Sequence, residues 1–172
     1  MAGPYTLPGF GAIPAVLGAV LLIVGFFALP WASVAGHSVH FVDLTKLAWD
    51  SEGSGGGYGK AYAAAIGYLA LLAQLVNPLP WTLGSFRGPK SALVFSGIRR
   101  KEFNRANYWW YRTSFAVRSA LMVILHAVGV IALFKDDLGA TGAGAWLVLG
   151  GSILVTAGAA IGPRITAHMP RG

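Results

Sequence analysis

Residues 85–118 read SFRGPKSALVFSGIRRKEFNRANYWWYRTSFAVR and carry eight of the thirteen lysines and arginines of the chain, against a single acid, Glu102. The sequence on both sides of this stretch is almost wholly apolar over lengths that match a bilayer. Loops on the cytoplasmic side of a membrane are enriched in basic residues. The stretch therefore predicts a cytoplasmic loop between membrane spans, and it sets the orientation of the other segments.

The composition is that of a membrane protein. Of the 172 residues, 55% are hydrophobic and 11% are charged, whereas soluble domains carry about 25% charged residues. The net charge of +7 is also a property of nucleic-acid binders. Here the basic residues adjoin apolar spans, so lipid headgroups account for them and we predict no nucleic-acid partner. The absence of cysteine excludes disulfides, thiol catalysis and cysteine-ligated metal sites.

Four apolar segments predict one domain, an all-α integral membrane protein built as a bundle of four transmembrane helices. The predicted spans are residues 11–29, 60–77, 113–134 and 143–161. The first is uncharged throughout, and as a helix it would be about 28 Å long, close to the hydrocarbon thickness of about 30 Å. With both termini inside, ten of thirteen basic residues are cytoplasmic and five of six acids lie outside. We therefore predict a multi-pass protein with cytoplasmic termini and a basic cytoplasmic loop at 85–112.

The first outer loop, residues 30–59, contains the sequence WASVAGHSVHFVDL, in which two β-prone runs flank a glycine. This pattern predicts a small β-hairpin, followed by a short helical turn and a glycine-rich linker. His37, His40 and Asp43 are spaced three apart, which would suit a metal site on a helix. In a strand the two histidines point to opposite faces, and zinc needs further ligands, so we predict no metal site.

Small residues spaced for close helix packing occur on two spans. They are Gly59, Ala63 and Gly67 on the second span and Gly158 and Gly162 on the fourth. Because small residues let helix backbones approach each other in lipid, we predict that one stripe packs inside the bundle and the other binds a partner. We expect the stripe on the fourth span to face outward. Gln74 and Asn77 are expected to bridge or cap helices.

Basic and aromatic residues mark the predicted interfaces. The predicted surface for anionic lipid or a partner protein comprises Arg99, Arg100, Lys101, Arg105 and Arg112. Four tryptophans are predicted as interfacial anchors, namely Trp31, Trp81, Trp109 and Trp110. The run from Tyr108 to Tyr111 lies between arginines and could stack nucleic-acid bases. Its place directly before a span favours a membrane-interface belt.

His126 is the one ionisable residue deep in a predicted span. Such a residue points to a quinone contact, a proton relay or haem ligation, or else to a hydrogen bond between helices. Without a second membrane histidine it cannot hold a bis-histidine haem, so we predict no cofactor. The sequence has no Walker loop, no dinucleotide-binding glycine motif and no nucleophile–histidine–acid trio, and we predict that the protein is not an enzyme.

The predicted architecture resembles that of claudins and stargazin. It shares four spans, internal termini, a first outer loop that opens with a tryptophan and forms strands, and a short second outer loop. Those families carry a cysteine pair and a Gly-Leu-Trp motif in the first loop, and this sequence has neither. The segment FFALPWASVAG at 26–36 is similar in style to small actinobacterial membrane proteins. Among these is the claudin-like accessory subunit of the mycobacterial MCE lipid importer.

This resemblance implies a non-catalytic accessory subunit of a bacterial inner-membrane complex that imports lipids or sterols. Its partners would be the other subunits, a permease and lipid-transfer proteins, together with anionic lipids. The alternative is an accessory subunit of a respiratory complex, with His126 near a quinone or cytochrome. A transporter in its own right is disfavoured, because the spans contain no acid and the sequence shows no clear internal repeat.

Overall fold

The computed structural model describes most of the chain. The described residues are 3–34, 36–50, 57–84 and 102–172. Most of the basic loop predicted at 85–112 lies outside them, and so do Arg99, Arg100 and Lys101 of the predicted lipid or partner surface.

The described residues are mostly helical. The helices are α1 (Ala12–Phe27), α2 (Phe41–Asp50), α3 (Tyr58–Thr82), α4 (Tyr108–Phe134) and α5 (Ala143–Ile161). The strands are β1 (Thr6–Leu7), β2 (Ala32–Val34), β3 (His37–Val39) and β4 (Arg164–Ile165). Helix α3 includes a π-helical turn at Tyr62–Ile66 and a break at Asn77, before Pro78.

Among the described residues, three helices are long and apolar enough to cross a membrane. They are α3 with 25 residues, α4 with 27 and α5 with 19. Helix α1 is also apolar, but at 16 residues it is shorter than the predicted first span, because the chain leaves the helix before Pro30. The fold is thus compatible with a multi-pass membrane protein.

Helices α1 and α5 pack antiparallel along most of their length, and this is the most extensive contact between helices among the described residues. Three pairs of glycines form the seam: Gly11 with Gly158, Gly18 with Gly151, and Gly25 with Gly144. A Cβ atom added at Gly18 would lie 2.5 Å from the Gly151 carbonyl oxygen, and one added at Gly151 would lie 2.7 Å from that of Gly18. The two backbones are therefore in direct contact.

The seam corrects the expectation that the stripe on the fourth span faces outward. A Cβ at Gly158 would lie 2.6 Å from the Gly11 carbonyl oxygen and 2.6 Å from the Cβ of Ala15, so Gly158 faces α1. Gly162 ends α5 with a φ of +74°, a backbone conformation that favours glycine, and it lies beside Trp81 and Tyr108. Both residues contribute to packing within this chain.

The bundle has two distinct ends. At one, which we call the hairpin end, β2 and β3 pair antiparallel as the sequence predicts, and α2 follows directly. The hairpin is joined to the start of α5, since Gly142 N–H donates to the Trp31 carbonyl over 2.7 Å. At the opposite end, the termini end, β1 pairs antiparallel with β4. The two termini of the described chain thus meet at one end of the bundle.

Candidate functional site

The candidate site is the polar and aromatic interior at the hairpin end, around His126. His126 is fully buried, and its Nδ1 lies 2.7 Å from the Tyr62 hydroxyl, which joins α4 to α3. Gly129, one turn further along α4, leaves the space that the Tyr62 ring fills. The other ring nitrogen, Nε2, has no hydrogen-bond partner among the described residues. His126 therefore has one bond between helices and one unused polar atom.

Aromatic rings enclose the His126–Tyr62 pair. The Phe26 ring lies edge-on to the imidazole at 5.7 Å between centroids, and Phe41 packs on both Phe26 and Tyr62. Trp31 belongs to the same cluster and is fully buried. Its Nε1 donates to the Gly25 carbonyl over 2.8 Å. Since its indole N–H is satisfied inside the fold, Trp31 is a core residue and not the interfacial anchor that the sequence predicted.

The π-helical turn in α3 places a carbonyl group towards α2. The Thr45 hydroxyl of α2 lies 2.9 Å from the Ala63 carbonyl oxygen and 3.0 Å from the Phe41 carbonyl oxygen, and its one proton is donated to one of them at a time. The Tyr68 hydroxyl lies 3.0 Å from the same Thr45 oxygen. A π-helical turn shifts one carbonyl out of the regular helical pattern and often occurs at functional positions. Here it brings the amphipathic helix α2 into contact with α3 at the hairpin end of the bundle.

The predicted small-residue stripe on α3 also lies inside the fold. Gly59 faces α4, where a Cβ would lie 3.0 Å from the Ala132 carbonyl oxygen. Ala63 is buried and accepts the Thr45 bond, and Gly67 faces the Phe41 ring at 2.7 Å from a built Cβ. The stripe therefore contacts α4 and α2 of the same chain.

A second set of polar groups joins α3, α4 and α5 nearer the termini end. The Gln74 side chain accepts from the Ser152 hydroxyl over 2.8 Å and donates to the Ser152 carbonyl over 3.3 Å. The Thr156 hydroxyl also donates to the Ser152 carbonyl, over 2.9 Å, so Ser119 must donate to Thr156 across their 2.8 Å contact. The amide of Gln74 bridges helices, as the sequence predicted.

The termini end has its own aromatic core. Trp81 is fully buried, stacks on Phe115 at 5.0 Å and donates from Nε1 to the Ala159 carbonyl over 3.1 Å. It therefore lies within the fold and is not the interfacial anchor that the sequence predicted. Trp109 and Trp110 differ from it, because they are 65% and 49% exposed at the start of α4. These two have the exposure that a membrane-interface belt requires.

Two predicted surface cations are described, and both bond to backbone carbonyls. Arg105 donates to the Thr166 carbonyl over 3.2 Å. Arg112 donates to the Ala160 carbonyl, and its guanidinium lies 4.6 Å from the centre of the Trp109 ring. Arg105 therefore joins the segment before α4 to the segment after α5, and Arg112 joins the start of α4 to the end of α5.

The histidines of the hairpin region do not assemble a metal centre. His37 lies exposed in β3, whereas the His40 backbone N–H donates to the Asp43 carboxylate over 3.1 Å and starts helix α2. Within 3–34, 36–50, 57–84 and 102–172, no group of three histidine, aspartate or glutamate side chains is close enough to share a metal ion. Asp43 serves instead as a helix-capping residue.

Sequence reasoning missed the glycine seam. Glycines recur every seven residues at 11, 18 and 25 and again at 144, 151 and 158. A spacing of seven keeps residues on one face of two helices that wrap around each other. This repeat could therefore have indicated that α1 and α5 pack together through their glycines. The stripes predicted from a spacing of four contain only one glycine of this seam, Gly158.

Comparisons with known proteins add no further assignment. No protein-family model matches the sequence, and it matches neither a curated protein nor a solved structure.

Proposed function

We propose that the chain crosses a bacterial inner membrane four times, with both termini in the cytoplasm. The pairing of α1 with α5 supports the fourth span. The contacts run from Gly11–Gly158 to Gly25–Gly144, so α1 accompanies α5 over nearly all of its 19 residues. A helix that contacts a membrane-crossing neighbour over that length extends through the same depth of the bilayer, so α1 is the fourth span. The basic residues of 85–112 then lie on the cytoplasmic side.

Within that topology, the chain is a non-catalytic accessory subunit of a larger inner-membrane complex, of the MCE type that imports lipids or sterols. One observation carries the proposal: three pairs of polar side chains in the interior bond to each other across helices. Gln74 bonds to Ser152, Ser119 to Thr156, and Tyr62 to His126. A packed interior of this kind supports a scaffold, since an enzyme or a transporter needs convergent polar groups facing an open cavity.

A partner helix has a candidate docking place on the outside of the bundle. Between α4 and α5 lies an apolar groove of about 470 Å³ whose floor includes the small residues Ala120, Ala157 and Ala160. Ala157 and Ala160 are exposed on the face of α5 opposite the glycine seam. Both predicted small-residue stripes pack against other helices of the same chain. The groove is therefore the surface that we assign to packing against a partner helix.

The accessory subunit of a respiratory complex is kept as the second candidate because His126 Nε2 lacks a partner among the described residues. A quinone carbonyl could accept a hydrogen bond from such an atom. His126 is fully buried between α3 and α4, however, and lines none of the grooves described here. A quinone would first have to separate Tyr62 and Phe26 from it.

Copurification distinguishes the two candidates. The full chain, extracted in mild detergent and analysed by mass spectrometry, should bring down an ABC-type permease and lipid-transfer proteins. The double variant Ala157→Leu/Ala160→Leu should remain folded yet lose these partners at least about tenfold, because two leucines fill the groove. Ala65→Leu, at another exposed alanine on α3, is the matched control and should keep them. Recovery of cytochromes instead would favour the respiratory alternative.

The topology is tested independently of the partner. The chain has no native cysteine, so Ser38→Cys in the hairpin and Ala167→Cys near the C-terminus report without background. Both positions are exposed. With an impermeant thiol reagent on intact cells, Ser38→Cys should be labelled and Ala167→Cys should be labelled only after lysis. Equal labelling of both on intact cells contradicts cytoplasmic termini.

A further inference from the structure

An open groove at the termini end is separate from the interior around His126 and from the groove between α4 and α5. It lies between the start of α1 and the end of α5 and has a volume of about 530 Å³, which falls within the usual range of about 300–1,000 Å³ for ligand sites. The side chains of Phe10, Ile13, Ile161 and Arg164 line it. The groove therefore combines apolar walls with one cation.

Two glycines leave the floor of the groove free of side chains. Gly9 and Gly162 both line it, and a Cβ atom added at Gly9 would lie 2.9 Å from the Arg164 backbone nitrogen and 3.2 Å from the Gly162 carbonyl oxygen. The segment before α1 therefore packs directly on the segment after α5. Because β1 also pairs with β4 next to this contact, both walls of the groove are held by the fold.

The apolar side chains of the groove are exposed. Phe10 is 85% exposed, Ile13 68% and Ile161 46%. Leu17, one turn after Ile13 on α1, is 52% exposed and continues the same apolar surface. A contiguous exposed apolar surface marks a place where another molecule binds or where lipid covers the protein.

Arg164 is a cation whose charge the described chain leaves uncompensated. Its backbone pairs with Leu7 in the sheet of β1 and β4, and its side chain is exposed. Within 3–34, 36–50, 57–84 and 102–172, its guanidinium makes no ion pair and no hydrogen bond. A guanidinium stays charged at physiological pH and binds phosphate through two parallel N–H groups. The rim of the groove thus offers a site for an anion.

The length of α5 sets the depth of Arg164 in a bilayer. Its 19 residues extend about 28 Å, close to the hydrocarbon thickness of about 30 Å. Arg164 follows the last residue of α5, Ile161, by three positions and therefore lies at the level of the lipid headgroups. Ile161 and Ile13 lie at the adjoining edge of the hydrocarbon. A cation above an apolar groove matches a phospholipid, whose phosphate lies directly above its acyl chains.

We propose that this groove binds one glycerophospholipid. The phosphodiester group contacts the Arg164 guanidinium, and one acyl chain lies against Phe10, Ile13 and Ile161. A helix of a second copy would cover the apolar walls but would leave the Arg164 charge without an anion, which favours the lipid. The site does not depend on the proposed accessory role, and only its assignment to the cytoplasmic leaflet rests on the proposed topology.

Native mass spectrometry of the full-length chain tests the site. The delipidated protein is offered phosphatidylglycerol, then diacylglycerol, which lacks the phosphate, and then glycerophosphoglycerol, which lacks the acyl chains. We expect one phosphatidylglycerol to be retained per chain and neither of the other two. Retention should fall about tenfold or more in Arg164→Leu, because a charge-assisted bond to the phosphate is lost. Arg171→Leu is the matched control and should leave retention unchanged, since Arg171 is also an exposed arginine after α5 but does not line the groove.

Two isoleucines on α1 test the apolar wall. Ile13→Ala should reduce retention several-fold, because it removes contacts with the acyl chain. Ile23→Ala, at an isoleucine that is 46% exposed near the other end of α1, should not reduce it. Equal retention of diacylglycerol, or equal losses in a variant and its control, would overturn the proposal. So would a dimer of the intact protein that Ile13→Ala dissociates, since the groove would then bind a second copy.

If Arg164→Leu does not fold, crosslinking to the intact protein decides. Phosphatidylglycerol that carries a photoreactive group in one acyl chain should label the peptides that contain residues 10–17 or 161–164. Labelling spread evenly over the exposed faces of α4 and α5 would mean that lipid surrounds the protein without a defined site, and the proposal would be wrong.

Discussion

Helix α5 is held on its two sides by different means. Towards α1 it presents Gly144, Gly151 and Gly158, and the backbones touch. Towards α3 and α4 it presents Ser152 and Thr156, and side-chain hydrogen bonds cross the gap. Inside a bilayer there is no hydrophobic force between helices, so association depends on dispersion contacts or on polar bonds. Helix α5 therefore uses close backbone contact on one face and polar bonds on the opposite face.

The difference lies in what each side tolerates. The glycine seam has no room for a side chain, because a Cβ atom added at any of its six glycines would lie 2.5–2.7 Å from a backbone oxygen of the facing segment. The polar side has room for substitutions of similar size, and its bonds are worth about 0.6 kcal/mol each on average in membrane proteins. Additions to the seam should therefore cost more than deletions on the polar side.

The largest effect is expected at Gly151. Gly151→Leu places a side chain where even a Cβ would lie 2.7 Å from the Gly18 carbonyl oxygen, so α1 and α5 must separate. We expect the free energy of unfolding in mixed micelles to fall by about 3 kcal/mol, the upper part of the range for overpacking. Unfolding titrations with SDS, followed by tryptophan fluorescence, measure it.

The adjacent residue provides the control for this prediction. Nothing lies within 4 Å of a Cβ built at Gly150, which faces away from the seam. Gly150→Leu should leave the unfolding free energy unchanged or raise it slightly, since leucine is the better helix former. Equal destabilisation by the two variants would show that the close packing of α1 on α5 is not what holds them together.

Much of the fold could be predicted from the sequence. Apolar length and the distribution of charge locate the helices, and the β-prone runs around Gly36 locate the hairpin. Gln74 was expected to bridge helices because a buried amide in lipid has few other ways to be satisfied, and it bonds to Ser152. These predictions rest on properties of single segments, which sequence reasoning treats well.

The failures concern pairs of segments. Trp31 and Trp81 are of the residue type that usually anchors a span at the membrane interface, yet both are buried. Their indole N–H groups are satisfied there, because they donate to the carbonyl groups of Gly25 and Ala159. Which carbonyl group faces a tryptophan depends on how two segments pack, and a rule about residue type cannot supply it. The π-helical turn at Tyr62–Ile66 was not predicted either, and two of its residues contact Thr45 and Gly129, which lie elsewhere in the chain.

The next effect in size is expected at Gln74, on the polar side. Gln74→Leu removes two hydrogen bonds to Ser152 and leaves the serine hydroxyl buried without its acceptor. We expect a loss of about 1.5 kcal/mol, near the upper value measured for polar contacts between membrane helices. The double variant Gln74→Leu/Ser152→Ala should recover part of this loss, because the stranded hydroxyl is gone. A double variant less stable than Gln74→Leu would contradict that explanation.

The smallest effect is expected at the Tyr62–His126 pair, which makes a single contact of 2.7 Å between α3 and α4. Tyr62→Phe keeps the ring against Gly129 and removes only the hydroxyl, so the loss should be about 0.6 kcal/mol. His126→Gln retains a polar group and should lose about 1 kcal/mol or less. A double-mutant cycle over these two changes isolates the bond, because the loss of the Phe26–imidazole contact occurs in both proteins that carry His126→Gln and therefore cancels. A coupling energy larger than the cost of Gly151→Leu would rank this buried pair above the glycine seam in holding the bundle together, and the expectation that close backbone packing outweighs hydrogen bonds between helices would then be wrong.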